Sequence, residues 1–421
     1  MSNDLDAARA LDAADPVAPL RSQFALPRTA TGEEAIYLCG HSLGLQPLKA
    51  AQYVEEALER WRHDGVEAHF NGARPWVSYH ENLTPGLAAL AGALPLEVVA
   101  MNSLTVNLHL LLASFYRPTP ERSKILIEAA AFPSDRYAVA SQVRWHGFDP
   151  RTDVIEYGGD AQFLLDEEAL CEELERSGSS IAVVLLPGVQ YLTGQVLACE
   201  RIARVARAQG CVVGLDLAHA IGNIPLQLHD WDIDFAVWCS YKYLNAGPGA
   251  IGGCFVHERH ARAFDLPRLA GWWGHDKNTR FDMPSTFAPL AGAEGWQLSN
   301  PSILAAAPLL ASLELFQSVS RGQLCAKSVA LTDFLARLLR ERLQHRVEIL
   351  TPSTQQNRGC QLSLRLDTTR DEAERIHTRL IESGVICDWR EPNVIRVAPV
   401  PLYNRFVEAY EFVERLEREL G

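Results

Sequence analysis

Two charged residues stand where apolar chain would otherwise run on. Lys242 lies between the runs Asp234-Phe-Ala-Val-Trp-Cys239 and Ala250-Ile-Gly-Gly-Cys-Phe-Val256, both of which read as buried strands. A cation is costly near an interior. Desolvated lysines are also usable amines for Schiff bases, so the position suits covalent chemistry. The plainer alternative is a lysine snorkelling at a strand end. Earlier by 26 positions (242 − 216), Asp216 interrupts Gly210-Cys-Val-Val-Gly-Leu-Asp-Leu-Ala-His-Ala220, with His219 three residues on. A strand-end aspartate needs a donor or cationic partner, unless it simply caps a helix. His219 alone reads equally well as a satisfied core histidine. An acid and a lysine at successive strand ends fit pyridoxal phosphate, with the lysine on the aldehyde and the acid on the ring nitrogen.

The surrounding pattern supplies the scaffold. Apolar runs at 124–129, 180–186, 211–217 and 234–239 alternate with helical stretches, including 48–62 and 199–209. That is an α/β pattern with a mainly parallel sheet. Ligands in such sheets gather beyond the strand carboxyl ends, where Phe132, Asp135, Asp216, His219, Tyr241 and Lys242 fall. Asn102 or Ser103 reads as the N-cap of a buried helix that opens with Leu104 and Thr105, either a phosphate cradle or an ordinary capped helix. Residues 66–79 read as an irregular loop. After them the next change of character is at Asn300-Pro301, which reads as N-cap and N1 of a helix to about residue 318. A second helix at 322–343, strands at 359–366, 385–387 and 394–398, and a helix at 370–383 then make a small α+β unit. Arg396 sits inside the last apolar strand, as a buried ion pair or as a bidentate clamp for a carboxylate. The division expected is a large domain over 46–299, and a small one from 1–45 and 300–421 with an N-terminal arm.

Composition narrows the partners. Over 421 residues, 39 basic against 52 acidic side chains give a net charge of −13, which argues against nucleic acid or an anionic membrane as partner. The nine cysteines include no Cys-x-x-Cys pair, which argues for a reducing compartment and against a zinc site. No run approaches the roughly 18 apolar residues of a membrane span. The start Met1-Ser-Asn-Asp-Leu-Asp6 is acidic where a signal peptide is basic, so the expected location is the cytoplasm.

Several stretches, in this order, carry a family resemblance: Gly40-His-Ser-Leu-Gly-Leu, Leu104-Thr-Val-Asn-Leu-His-Leu-Leu, Phe132-Pro-Ser-Asp, Thr193-Gly-Gln, Asp216-Leu-Ala-His-Ala, Trp238-Cys-Ser-Tyr-Lys-Tyr-Leu-Asn-Ala-Gly, Gly271-Trp-Trp-Gly-His, Ser299-Asn-Pro and Ile395-Arg-Val-Ala-Pro-Val-Pro-Leu-Tyr-Asn. From about Ile36 to Asn404 the chain resembles the kynureninase family, pyridoxal-phosphate enzymes of fold type I related to the class V group. The resemblance implies hydrolysis of L-kynurenine or its 3-hydroxy form to an anthranilate and L-alanine, a step of tryptophan catabolism. It implies that Lys242 holds the cofactor, Asp216 faces the ring nitrogen and Phe132 covers a ring face. Leu104, Thr105, Asp135, His219, Tyr241, Trp272 and Asn300 would be further cofactor contacts, with Trp272 and Asn300 reaching across a homodimer whose sites are shared. Arg396 would take the substrate α-carboxylate. Tyr241 and Lys242 are the candidate acid and base. Ser42, His69 and Asn300 would surround the substrate ring, away from Arg396, and their polar groups favour acceptance of the 3-hydroxy substrate. Pro187 stands where some members carry a hydroxyl residue. The alternatives are a class V aminotransferase or cysteine desulfurase, or a non-catalytic cofactor-binding regulator.

Overall fold

The structure is a computed structural model that describes residues 2–129, 131–158 and 163–421. Seven strands form its larger sheet in the order Val98–Ala100, Gly253–Val256, Phe235–Trp238, Val212–Asp216, Ile181–Pro187, Lys124–Glu128, Val154–Tyr157. All pairings from Phe235–Trp238 outward to Val154–Tyr157 are parallel. Gly253–Val256 runs antiparallel to both its neighbours. The expected mainly parallel sheet is therefore present. Its central strands read as unbroken apolar runs because helices cover both faces, and Ile181 to Leu186 are all buried. Val98–Ala100 and Val154–Tyr157 escape a sequence reading because three and four residues carry too little periodicity.

Register brings the chemistry to one rim. Pro187 lies opposite Asp216, and Asp216 opposite Val237. Glu128 ends its strand on the same side, and the chain beyond Trp238 turns into Tyr241 and Lys242.

A second, antiparallel sheet has the order Val347–Ile349, Leu362–Leu366, Val394–Val397, Asp388–Arg390, with Asp388 opposite Arg396. The N-terminal chain joins it. Ile36–Tyr37 pairs in parallel with Val385–Ile386, and Cys39 bridges Ala398. The strand Ile36–Tyr37 is short, but it delivers the turn after Cys39 from the smaller sheet towards the larger.

Two expectations change. The helix after Asn300-Pro301 starts at Ile303 with Ser302 as its N-cap, so Asn300 caps nothing. That helix, Ile303–Gln317, buries Leu309, Leu313 and Phe316 in the core of the larger sheet, whereas Leu331, Leu335 and Leu339 of Arg321–Leu343 pack on the smaller one. A helix apolar on all sides is a core helix, and we propose that the domain division falls after Gln317 rather than at 299. The stretch 66–79 is not irregular, since it holds the 3₁₀ helices Gly65–His69 and the start of Trp76–Asn82, too short to show a period. Among the described residues, no single helix is long and apolar enough to cross a membrane.

Candidate active site

A cavity of about 550 Å³ opens beyond the carboxyl ends of the parallel strands. Of the ten residues expected around a cofactor, eight line it: Leu104, Thr105, Phe132, Asp135, Asp216, His219, Tyr241 and Lys242. Glu128, Pro187 and Tyr191 share the wall.

Lys242 is held by its own turn. Its carbonyl accepts the Asn245 N–H at 2.9 Å, with Asn245 in the left-handed region at φ 52°. The Gly44 N–H donates to the Tyr241 carbonyl at 2.8 Å. A Cβ on residue 44 would overlap the Lys242 carbonyl and Asn245, so only glycine lets the two loops meet. Lys242 Nζ lies 6.0 Å from the ring centres of both Phe132 and Tyr241. The Phe132 ring is 44% exposed although it lines the cavity, which leaves a flat face open to a second ring. Burial, then Cys239, pushes the Tyr241 phenol up, so it carries its proton at neutral pH.

Three carboxyl groups crowd the floor. Asp216 Oδ1 accepts the Ala218 N–H at 2.6 Å. Burial raises its carboxyl, against the opposing pull of that N–H, of Asp135 and of Lys242. Asp135 is pushed well above the usual range by burial and then by Asp216, and its Oδ1 is buried without a hydrogen-bond partner among the described residues. Glu128 is pushed up to about 8 by burial and then by Asp216. Like charges so close cannot all ionise without a countercharge. His219, fully buried, is pushed well below its ordinary value by burial and then by Lys242, and is a neutral imidazole.

Two helix starts at the cavity suit an anion. The helices Leu104–Phe115 and Pro133–Trp145 both begin there, and neither N-cap, Ser103 nor Phe132, makes a side-chain capping bond. Pro133 has no N–H and the Asp135 N–H donates to the Phe132 carbonyl at 3.0 Å, which leaves the N–H groups of Leu104, Thr105 and Ser134 for a phosphate. A Cβ on Gly252 would come within 3.2 Å of the Leu104 nitrogen, so glycine keeps the approach to that helix start open.

Arg396 lies just outside this lining and is 1% exposed. Its Nε and Nη2 both hold Asp388 Oδ1 at 2.8 Å, and Nη1 donates to the Tyr191 carbonyl at 2.5 Å. The Nη1–Nη2 edge keeps hydrogens for a second carboxylate. Ser42 belongs to this group: its Oγ donates to Asp388 Oδ2 at 2.7 Å and lies 3.4 Å from Arg396 Nη2. The expectation that Ser42 sits away from Arg396 is therefore corrected. It arises because residues 36–39 run beside the strand of Arg396. Burial pushes Asp388 up, but Arg396 outweighs it and holds the carboxyl below its ordinary range.

Trp272, His69 and Asn300 do not line the cavity. Trp272 is 44% exposed, donates from Nε1 to the Arg280 carbonyl at 3.0 Å and meets Phe281 edge-on at 5.4 Å. Phe281 meets Phe70, at 5.8 Å, and His69 meets Trp76 at 5.2 Å. Asn300 is exposed.

Glu128, Tyr191 and Asp388 are site residues that the sequence reading missed. Glu128 ends an apolar strand as Asp216 does, and that signal was available. Tyr191 acts through a backbone carbonyl and Asp388 sits in a three-residue strand, neither of which marks the sequence.

A free lysine amine, a half-exposed aromatic plate, buried acids lacking a cation and two uncapped helix starts fit pyridoxal phosphate. The fold is that of fold type I pyridoxal-phosphate enzymes. A solved structure of a C-DES mutant with glycine covalently linked to its cofactor superposes with a TM-score of 0.76 at 19% identity, covering 91% of this chain and 96% of that one. The Escherichia coli cysteine desulfurase CsdA gives 0.76 at 19% identity over 96% and 98%. Sequence similarity is far closer elsewhere. Residues 324–416 match the model of the kynureninase C-terminal domain. The kynureninase of Koribacter versatilis is 53% identical over 414 residues, 98% of this chain and 96% of that protein. That of Xanthomonas campestris pv. campestris is 56% identical over 411 residues, 97% and 96%. The chain belongs to the kynureninase family.

Proposed function

We propose that the chain binds pyridoxal phosphate through Lys242 and hydrolyses L-kynurenine, 3-hydroxy-L-kynurenine or both, to anthranilate or 3-hydroxyanthranilate and L-alanine. The observation that carries this is the near full-length identity to kynureninases, 53–56%, in a chain that gathers Lys242, Asp216 and Phe132 in a single cavity beyond the strand ends. When bound, the cofactor supplies an electron sink for the carbanions formed at Cα and Cβ. Asp216 keeps the ring nitrogen protonated, with Asp135 donating to it. Phe132 covers the ring, and Leu104 and Thr105 offer backbone and hydroxyl donors to the phosphate. Arg396 presents its open edge to the α-carboxylate and so sets the Cα–H bond toward Lys242. Lys242 would take that proton and return it; water adds to the side-chain carbonyl carbon, which leaves as the anthranilate carboxyl when the Cβ–Cγ bond breaks, and Tyr241, a phenol that keeps its proton, would donate it to Cβ.

The finer proposal is a homodimer, in a cytoplasmic setting, with Trp272 and Asn300 completing the partner's site. Its support is that both residues are exposed and, like His69, lie outside the lining of their own chain's cavity. Dilution to monomer should then remove activity and cofactor together. For ring selectivity the test is the ratio of kcat/KM for the two substrates after His69→Phe with Asn300→Thr. A desulfurase needs a reactive loop thiol, whereas all cysteines of the described chain are buried or half-buried. The deciding assay follows anthranilate and L-alanine in equal amounts from kynurenine, beside sulfide from L-cysteine. Sulfide without anthranilate would overturn the proposal.

A further inference from the structure

The turn that carries Ser42 places a second histidine at the site, and nothing so far uses it. His41 is 0% exposed, and neither Nδ1 nor Nε2 has a hydrogen-bond partner among the described residues. A buried polar group left without a partner costs about 1–3 kcal/mol. Such a group calls for an explanation, and a ligand is one. The neighbours of His41 say which kind. On one side its Nε2 is 4.0 Å from Asp388 Oδ2, too far for a hydrogen bond. That oxygen is already taken by Ser42 at 2.7 Å and faces Arg390 Nη2 at 3.3 Å. On the other side its ring centre is 6.3 Å from that of His219, which lines the cavity. His41 therefore lies between the Arg396 clamp and the cavity wall. Arg396, Arg390 and Lys242 all act on it as cations, against the single carboxylate Asp388. Cys39, His41 and Asp388 bring possible ligand atoms within 4.8 Å of one another, but the three cations around them disfavour a further cation and favour an anion.

We infer that His41 is a second recognition group for the α-carboxylate of the amino-acid substrate, donating one ring N–H to the oxygen that Arg396 does not fully hold. This deepens the proposed function and rests on it. Asp388 occupies the side of the guanidinium, Nη1 already donates to the Tyr191 carbonyl and Nη2 lies 3.4 Å from Ser42 Oγ, so the hydrogens left at the end hold a carboxylate only in part and leave it a lone pair to satisfy. The imidazole next to the clamp supplies that donor. The role is one of affinity and specificity for the carboxylate half of the substrate, and the ring half lies beyond its reach.

The two products divide the substrate into those halves. L-alanine carries the carboxylate and anthranilate carries the ring. Dissociation constants of each, measured by calorimetry on the holoenzyme, are compared for wild type, His41→Leu, which keeps bulk without a donor, and His41→Asn, which keeps one. The expected result is a loss of about 10-fold or more for L-alanine in His41→Leu, matching one hydrogen bond to a charged group. Anthranilate should stay within about twofold, and His41→Asn should recover most of the loss. KM for kynurenine should rise with kcat little changed. Unchanged L-alanine binding, or equal weakening of both ligands in both variants, overturns the inference. A wild-type holoenzyme that binds neither product instead overturns the proposed function, and this inference with it.

Discussion

At one end of the site Glu128, Asp135 and Asp216 bring three carboxyl groups to one sheet rim, and burial raises all three. At the other end Arg396 and Arg390 share one carboxylate, Asp388, which is held low. The acid end has three carboxyl groups and only Lys242 to offset them until a ligand brings a further cation. The clamp end has two guanidinium groups for one carboxylate and so has donors to spare. One end therefore gains stability when the cofactor arrives, and the other recognises an anion without rebuilding itself.

Substitutions can break this contrast. The largest effect is expected at the lysine facing both ends: Lys242→Ala should lower kcat by at least ~10³-fold and abolish the absorbance band of the lysine-bound cofactor. Next, Arg396→Ala leaves Asp388 with only the longer ion pair to Arg390, at 3.3 Å. Stability should fall by about 1.5–3 kcal/mol in denaturant melts, and kcat/KM by roughly 10²-fold or more. Arg396→Lys should restore the stability more than the activity, because the fork is lost.

The acid end should show itself in pH dependence. Glu128 keeps its proton up to about pH 8 when folded, but an unfolded glutamate releases it near pH 4.5. Between those values the unfolded chain binds fewer protons than the folded one, so stability falls as pH rises. For the cofactor-free protein this one group contributes a slope of about 1.4 kcal/mol per pH unit, complete by about pH 8. Glu128→Gln should flatten that slope in thermal melts, and saturating cofactor should reduce it. A slope unchanged in the variant would remove Glu128 from the account. The smallest effect concerns Ser42. Because its hydroxyl holds Asp388, Ser42→Ala should raise KM about fivefold for kynurenine and 3-hydroxykynurenine alike, the loss of one ordinary hydrogen bond. A changed ratio between the two would return Ser42 to the substrate ring.

Lys242 and Asp216 were legible because charge at the end of an apolar strand is expensive and so conspicuous. The four long parallel strands were legible for the same reason, being apolar throughout. What stayed hidden has physical causes. Asp388 and the edge strands lie in segments too short to show a period. Tyr191 contributes a backbone group common to every residue. Asn300 and Ser302 are both good caps, and tertiary packing rather than propensity selects the second. His41 was legible only as part of a motif, since its burial depends on a turn packed between two sheets.

The close approach at Gly44 has a mechanical consequence. Residues 36–39 are stitched to Val385–Ile386 and to Ala398, which flank strands of the smaller sheet, and five residues beyond Cys39 the Gly44 N–H is stitched to Tyr241. The turn between them is a tie rod. Rotation of the smaller sheet against the larger drags it across the lysine loop, so travel at the Arg396 end is delivered to Lys242. A side chain at 44 would act as a wedge in that linkage, uncoupling the seating of a carboxylate from the aim of the reactive amine while both groups remained in place.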